Sequence, residues 1–342
     1  MLNDTSRPLK LVVIGGGGGV SQVLLGAQAT FAERTGVIAV TDTGRSTGTA
    51  RALAAMPAPG DLRNTLAALA RDPDAPLARL LQHRFSATTL PALDGMAFGN
   101  LLIAALTQMT GDFGTAIATV SEWLDCTAHI LPVATVNAQL GAEREDGSVA
   151  SDELAVRALN MAPLRRLTLS PPDAPAHPAV LAAIAAADVV TLGPGSFFTS
   201  VMAALLFSGL VTALRQTPAT VVFIVNTTTQ PGQTDGFTSF EHVRRLVEFL
   251  GPSTLDVALL SQSDRLLPHV VAQYAADGLH LLHPNADELA AIAALGVTPL
   301  VRDLTEVTAS KRTLWNKQDT IRHDPVRLGL ALREIALRRC DG

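Results

Sequence analysis

The sequence predicts an α/β protein built on a mainly parallel sheet. Short apolar runs typical of buried strands alternate with helical stretches along most of the chain. Four of these runs end directly in loops of glycine and small polar residues, at 15–21, 41–48, 193–200 and 226–234. Parallel strands joined by right-handed crossovers place their carboxyl ends along one edge, where ligands bind in open α/β sheets. We therefore expect the four loops to form one ligand site.

The first strand, at 11–14, runs into five consecutive glycines at 15–19, and a helix follows after Ser21, from Gln22. Glycines without Cβ atoms allow an anion to approach main-chain N–H groups, and a helix N-terminus adds unpaired donors. The run therefore predicts a nucleotide phosphate site. It has neither the dinucleotide-binding glycine pattern nor a P-loop, which disfavours an NAD-dependent dehydrogenase. The alternative is a turn that only lets the helix and the strand pack closely.

The remaining elements follow in order. A strand at 37–40 precedes loop 41–48, and a helix begins near Leu62, where Asp61 could cap it. Further strands are predicted at 188–192, 220–225 and 255–260, and helices at 65–70, 77–84, 101–109, 112–124, 178–187, 199–214, 240–250 and 326–339. Residues 129–169 differ, because β-like runs at 129–136 and 139–142 flank the turn at 145–148. They predict a small β-rich insertion in a single domain spanning 1–342.

Composition disfavours several classes of partner. The chain has 342 residues and a net charge of −5, so duplex nucleic acid and anionic membranes are poor partners. Cys126 and Cys340 are too few for a disulfide framework or a thiolate metal site, as in a reducing cytoplasm. Residues 1–8 lack the apolar core of a signal peptide, and no apolar run reaches membrane-spanning length. We expect a cytoplasmic protein.

Six motifs resemble the CofD-like family and fall in the family's order: Val13–Ser21, Thr41–Gly48, Pro59–Asn64, Phe98–Leu101, Gly193–Ser200 and Thr229–Phe237. Among its branches, the chain is most similar to the gluconeogenesis factors (YvcK-like) rather than to the 2-phospho-L-lactate transferases. The resemblance implies a Rossmann-like, three-layer α/β/α fold with a nucleotide site. In that branch it also implies binding of a nucleotide sugar of the UDP-N-acetylglucosamine type. Such members regulate carbon metabolism and cell-wall supply. We also expect a homodimer.

The motifs supply the candidate site. The expected nucleotide- or phosphate-binding residues are Gly16, Gly17, Gly18, Gly19, Ser21, Asp42, Arg45, Ser46, Thr47, Asp61, Arg63, Asn64, Asn100, Gly193, Gly195, Ser196, Thr199, Asn226, Gln230 and Arg322. Duller roles stay open: Asp61 as a helix cap, Arg63 as the partner of a local carboxylate, and Asn100 and Asn226 as turn residues. His323 is expected to be a structural partner of Asp324. A Gly17→Val change is expected to clash with the ligand and leave the fold intact.

The second loop departs from the family. Where the family often has Asp-Asp-Gly-Gly, this chain has Asp42-Thr43-Gly44-Arg45. Asp42 and Asp61 could hold Mg²⁺ only weakly, and Arg45 could partly replace a metal as a phosphate partner. The sequence therefore favours a nucleotide-sugar-binding regulatory protein. The alternative is a Mg²⁺-dependent transferase of phosphorus-containing groups, which joins a phospho-hydroxyacid from a nucleoside-diphosphate donor to an alcohol as a phosphodiester.

Overall fold

The computed structural model describes residues 7–86, 89–310 and 320–340, apart from the side chains of Arg45, Arg339 and Cys340. The strands are β1 (Lys10–Gly15), β2 (Glu33–Ile38), β3 (His129–Pro132), β4 (Gln139–Arg144), β5 (Val149–Ala150), β6 (Leu164–Ser170), β7 (Val189–Leu192), β8 (Thr220–Ile224), β9 (Val257–Ser261) and β10 (Thr298–Arg302).

The helices alternate with these strands. They are α1 (Gly17–Gly26), α2 (Arg45–Ala54), α3 (Gly60–Leu69), α4 (Pro76–Gln82), α5 (Phe98–Thr110), α6 (Phe113–Trp123), α7 (Glu153–Val156), α8 (Pro178–Ala186), α9 (Ala203–Leu205), α10 (Leu210–Gln216), α11 (Ser239–Leu250), α12 (Pro268–Ala276), α13 (Ala286–Ala294) and α14 (Pro325–Cys340). A π-helical segment, Phe197–Met202, leads directly into α9. In the described part of the chain, each helix lacks the length and apolar run needed to span a bilayer.

The large sheet has the order β10-β9-β8-β7-β1-β2-β3, and all of its neighbouring strands are parallel. From β1 the chain first builds outward through β2 and β3, then returns to the other side of β1 with β7. The strand order therefore reverses between β1 and β7, and this reversal is where doubly wound sheets bind their ligands. The predicted Rossmann-like fold class is confirmed.

The centre of the sheet is apolar on both faces. Leu11, Val12, Val13 and Ile14 of β1 are each at most 2% exposed, because helices cover both sides. Strands buried in this way read as continuous apolar runs rather than as alternating patterns. This burial explains why β1, β7 and β8 are recognisable in the sequence.

The β-rich insertion is smaller than expected. Strands β5, β4 and β6 form an antiparallel sheet that carries α7 between β5 and β6. The apolar run at 129–136 does not belong to it. Its first four residues form β3, which pairs in parallel with β2 at the edge of the large sheet, with Thr35 opposite His129. Ile130 and Pro132 of β3 are buried, so the large sheet's core, rather than the insertion, holds this strand.

Two other parts of the chain differ from the prediction. The single helix expected at 199–214 is interrupted at Ser208–Gly209, where Gly209 has a φ of +92°. Ser208 accepts and donates backbone hydrogen bonds with the segment 174–176, so the chain leaves the helix there. Near the C-terminus, α12, α13 and β10 were not predicted. Pro299 lies within β10, a position that proline tolerates because β10 is an edge strand.

Helix α1 is held at its C-terminal end by α14. A Cβ atom added to Gly26 would lie 1.7 Å from the carbonyl oxygen of Pro325, and one added to Gly329 would lie 2.0 Å from that of Gly26. The two helices therefore approach backbone to backbone, which only glycine permits at these positions. Arg302 of β10 also donates to Glu334 of α14 at 2.9 Å.

Candidate functional site

A cleft of about 700 Å³ lies at the carboxyl edge of the large sheet, at the reversal between β1 and β7. Four loops contribute to its wall: the glycine loop (Gly15–Gly19), the β2 loop (Thr41–Gly44), the β7 loop (Gly193–Ser196) and the β8 loop (Asn226–Thr234). Helix α7 of the insertion and Arg322 complete it. The cleft falls within the volume range of small-molecule and cofactor sites.

The amino end of α1 is capped by a carboxylate from another helix. Gly17 N–H donates to Asp61 Oδ2 at 2.9 Å, and Asp61 is only 7% exposed. Helix α3 begins at Gly60, so Asp61 lies inside the first turn of this helix. The role considered from the sequence, in which Asp61 is the N-cap of this helix, is therefore wrong. The N–H groups of Gly18 and Gly19 follow in the first turn of α1, where helix geometry supplies no acceptor. Both residues line the cleft.

The glycines of this loop differ in the space around their Cα atoms. A Cβ atom on Gly17 would lie 2.5 Å from the backbone oxygen of Asp61, and one on Gly19 would lie 2.1 Å from that of Pro194. A Cβ atom on Gly18 would meet nothing within 4 Å. Close packing therefore accounts for Gly17 and Gly19, whereas Gly18 borders open space. The expectation that Gly17→Val leaves the fold intact is wrong, because the backbone of α3 occupies that space.

Ser21 faces the protein rather than the cleft. It is 6% exposed, and its hydroxyl donates to the backbone oxygen of Gly17 at 2.7 Å. Gln22 lines the cleft instead, and the sequence analysis missed it. Residues four apart share one face of a helix, so Gln22 lies on the same face as Gly18. Knowing that α1 begins at Gly17 would have identified it.

Two side-chain amides of the β8 loop form hydrogen bonds with the β7 loop and with Phe197, the residue that follows it. Asn226 Nδ2 donates to the backbone oxygen of Gly195 at 2.8 Å. Gln230 Oε1 accepts from Phe197 N–H at 2.9 Å, and Gln230 Nε2 donates to Ser196 Oγ at 3.2 Å.

Two further predicted residues flank these contacts. Thr199 lies in the π-helical segment and is 3% exposed at the cleft wall. Gly193 has a φ of +81°, a conformation that turns the chain out of β7 at low steric cost only for glycine.

A smaller cavity of about 170 Å³ adjoins the cleft at the amino ends of α2 and α3. Ser46, Thr47 and Asn64 line it. Ser46 Oγ accepts from Asn100 Nδ2 at 3.0 Å, and Asn100 is only 1% exposed. Asn100 therefore supports the start of α2 from behind. Arg45 opens α2, but its side chain lies outside the described residues.

Arg63 is buried to all but 3% of its surface and lines the smaller cavity. Its guanidinium donates to Leu81 O at 3.0 Å and Gln82 Oε1 at 2.9 Å, in the last turn of α4. A cation is favoured there by the helix dipole. Burial, and then the neighbouring Arg84, lower the pKa of Arg63 to about 10, so it stays charged at neutral pH. Its hydrogen-bond partners are carbonyl and amide oxygens, including Asn64 Oδ1 at 2.8 Å, rather than the local carboxylate considered from the sequence.

The segment before α14 folds back to the cleft, where Arg322 and His323 both contribute to the wall. His323 is 4% exposed, and burial lowers its pKa to about 4, opposed by a hydrogen bond to the backbone of Val225. Asp324 Oδ1 accepts from the backbone N–H groups of Val326 and Arg327 at 2.9 and 3.1 Å. Asp324 therefore caps α14, and the expected partnership between His323 and Asp324 is wrong.

Asp42 and Asp61 line both the cleft and the smaller cavity, so the two candidate metal ligands do come to one place. One oxygen of Asp61 already accepts from Gly17. Across the described ranges, no three His, Cys, Asp or Glu side chains are grouped closely enough to hold a metal ion. A Mg²⁺ ion here would depend on these two carboxylates, on water and on phosphates of the ligand.

Comparison with known proteins agrees with this architecture. The family described as "2-phospho-L-lactate transferase CofD" matches residues 11–305. Crystal structures of a Bacillus halodurans protein superimpose with TM-scores of 0.84 and 0.85, at 32% and 31% identity and over 97% of this chain. They are covered to 100% and 99% of their own length.

Two relatives of a length similar to this chain are described as gluconeogenesis factors. The chain is 32% identical over 326 residues to the gluconeogenesis factor of Bacillus subtilis and 33% identical over 324 residues to that of Halalkalibacterium halodurans. These alignments cover 95% of this chain and 98% and 95% of the two relatives. It is also 34% identical over 331 residues to a longer Deinococcus radiodurans relative, of which it spans 66%. The chain therefore belongs to the CofD family, in its gluconeogenesis-factor (YvcK-like) branch.

Proposed function

We propose that this protein binds a nucleotide sugar of the UDP-N-acetylglucosamine type and acts as a regulatory binding protein of carbon metabolism and cell-wall supply. The observation that carries the proposal is that two segments line one cleft at the sheet reversal with backbone N–H groups that have no acceptor among the described residues. The first turn of α1 contributes Gly18 and Gly19, and the β7 loop contributes Gly195 and Ser196. Oriented N–H groups at a helix N-terminus favour phosphate oxygens.

The dimensions and charges of the cleft support a ligand longer than a phosphate. Its volume of about 700 Å³ suits a nucleotide that carries a second group. Arg322 lies on the wall formed by the segment before α14, and Arg157 on the wall formed by the insertion. Both are cations in a cleft that also holds Asp42, Asp61 and Glu153, and Arg157 is paired with Glu153 at 2.9 Å. Arginine at such a wall suits a bidentate contact with phosphate or stacking on a base.

The second candidate is the Mg²⁺-dependent transfer of a phospho-hydroxyacid from a nucleoside-diphosphate donor. The presence of both Asp42 and Asp61 at the cleft favours it, because phosphoryl-transfer chemistry needs charge neutralisation at the diphosphate. Against it stand Thr43, where the family often has a second aspartate, and the engagement of Asp61 with Gly17. A binding protein needs only the cleft, so we favour binding without turnover.

Calorimetric titration with uridine and guanosine diphosphates and their sugar conjugates tests the proposal. We expect binding of diphosphate compounds, with the highest affinity for a UDP-sugar, and mass spectrometry should detect the same class of compound in protein purified without added ligand. The absence of binding by every diphosphate compound would contradict the proposal. Release of nucleoside monophosphate from a diphosphate donor, dependent on Mg²⁺, would establish the transferase instead.

A further inference from the structure

The β7 loop carries two acceptors that would oppose an anion in the cleft. The first is the backbone oxygen of Gly195, and the second is the hydroxyl oxygen of Ser196. Both residues line the cleft beside the first turn of α1. A phosphate oxygen next to an unpaired carbonyl or hydroxyl lone pair would be repelled, so the loop binds an anion well only if these acceptors are occupied.

Two amides of the β8 loop occupy them. Asn226 Nδ2 donates to Gly195 O at 2.8 Å, and Gln230 Nε2 donates to Ser196 Oγ at 3.2 Å. The orientation of Gln230 is fixed independently, because its Oε1 accepts from Phe197 N–H at 2.9 Å. Turning that amide over would place two donors against each other at Phe197 and would leave Ser196 facing an oxygen.

The consequence is that Gly195 O and Ser196 Oγ each already accept a hydrogen bond from the β8 loop. Since Ser196 Oγ already accepts from Gln230, its hydroxyl proton is available to a ligand. Among the residues that the structure describes, none accepts from the backbone N–H of Gly195 or Ser196. The N–H of Phe197, in contrast, already donates a hydrogen bond to Gln230 Oε1. The available donors are therefore concentrated at Gly195 and Ser196, beside Gly18 and Gly19.

We infer that Asn226 and Gln230 are positioning residues that make the β7 loop selective for an anion, the diphosphate of the ligand, by occupying the loop's acceptors. This inference rests on the proposed function and alters the sequence-based expectation for both residues, which was direct contact with the ligand. Their action is through Gly195 and Ser196. The chemistry selected is an anionic oxygen, in preference to a neutral or cationic group.

The isosteric change Gln230→Glu tests the inference. A carboxylate can still accept from Phe197 N–H, but its second oxygen takes the Ser196 hydroxyl proton and turns the Oγ lone pairs toward the cleft. Gln22→Glu is the matched control, because it adds the same charge to the cleft wall from α1. With UDP as the titrant at constant ionic strength, Gln230→Glu should weaken binding about tenfold more than Gln22→Glu.

A double substitution separates hydroxyl orientation from charge. In a Ser196→Ala background no hydroxyl remains to be turned, so the effect of Gln230→Glu should shrink to that of Gln22→Glu. A merely structural or electrostatic role would give the same loss in both backgrounds and would overturn the inference. Should Gln230→Glu fail to fold, Asn226→Asp provides the second test, because it sets a carboxylate oxygen against Gly195 O. An effect no larger than that of Gln22→Glu would again overturn the inference.

The outcome for the unaltered protein distinguishes this inference from the proposed function. Failure of the unaltered protein to bind UDP or UDP-N-acetylglucosamine removes the proposed function and the inference with it. Binding by the unaltered protein, together with additive effects of Ser196→Ala and Gln230→Glu, removes the inference and leaves the proposed function standing.

Discussion

Neighbouring glycines of the glycine loop should respond to substitution in opposite ways. A Cβ atom on Gly17 would lie 2.5 Å from Asp61 O, about 0.9 Å short of the 3.4 Å at which ordinary contact begins. Helix α1 would have to move away from α3, and the hydrogen bond from Gly17 N–H to Asp61 would lengthen. Overpacking of this kind costs about 1–3 kcal/mol. We expect Gly17→Ala to lower the free energy of unfolding by that amount.

Gly18 presents the reverse case. Its added Cβ atom meets nothing within 4 Å, and alanine is a better helix former than glycine by up to about 1 kcal/mol. Gly18→Ala should therefore leave the free energy of unfolding unchanged or raise it slightly. The larger Gly18→Val should reduce affinity for UDP at least about tenfold, or roughly 1.4 kcal/mol, by obstructing the N–H donors of the first turn.

Urea denaturation and calorimetric titration of the same three variants provide both measurements. The reasoning is refuted if Gly18→Ala destabilises the protein as much as Gly17→Ala, because the difference in Cβ environment would then have no consequence. It is also refuted if Gly18→Val binds UDP like the unaltered protein, because the ligand would then not approach this turn.

Three further predictions follow from the cleft and its surroundings. Arg322→Ala should weaken UDP-sugar binding by about 1–3 kcal/mol at an unchanged melting temperature; unchanged affinity with a lowered melting temperature would indicate a structural role. Nucleotide affinity should change little between excess EDTA and millimolar Mg²⁺. The double change Thr43→Asp with Arg45→Gly should make nucleotide binding depend on Mg²⁺. Strong Mg²⁺ dependence in the unaltered protein would favour the transferase. Burial lowers the pKa of His242 and of His323 to about 4, so the unfolded chain binds more protons between pH 6.5 and 4. The free energy of unfolding should therefore decrease as the pH falls over that range, by up to about 3 kcal/mol per histidine. Urea denaturation of His242→Phe at several pH values should show a smaller decrease. The same decrease in this variant as in the unaltered protein would contradict the lowered pKa of His242.

The parts of the fold that were predictable are those with a local signal. Strands β7 and β8 are apolar apart from Thr191 and Thr220, because both faces of the central sheet are covered, and each strand ends in a turn that the sequence signals. Strand β10 has no such signal. Within the part of the chain that the structure describes, it pairs only with β9; it contains Pro299, and only Leu300 of its five residues is buried. An edge strand with one buried side chain is indistinguishable from a loop in the sequence.

The loops of the site were also predictable, but the duties of individual residues were not. Local capping rules assign Asp61 to its own helix, whereas its partner Gly17 is 44 residues away in the sequence. Likewise, Asn226 and Gln230 resemble ligand contacts until the β7 loop, 31 to 34 residues earlier, is placed beside them. Polar residues that meet across the sheet reversal depend on tertiary packing, which no local pattern contains.

The glycine contact between α1 and α14 makes completion of the site a late event in synthesis. Helix α1 leaves the ribosome before every other helix that the structure describes, yet the helix that covers its C-terminal end begins only at Pro325. Contacts between such distant segments form slowly, because a long loop must close before they add stability. Until then, the face of α1 around Gly26 lacks its cover, and Arg322 has not reached the cleft. The proposed nucleotide ligand would therefore first meet an incomplete site on the nascent chain, and any stabilisation of the fold by this ligand would begin only after α14 has emerged.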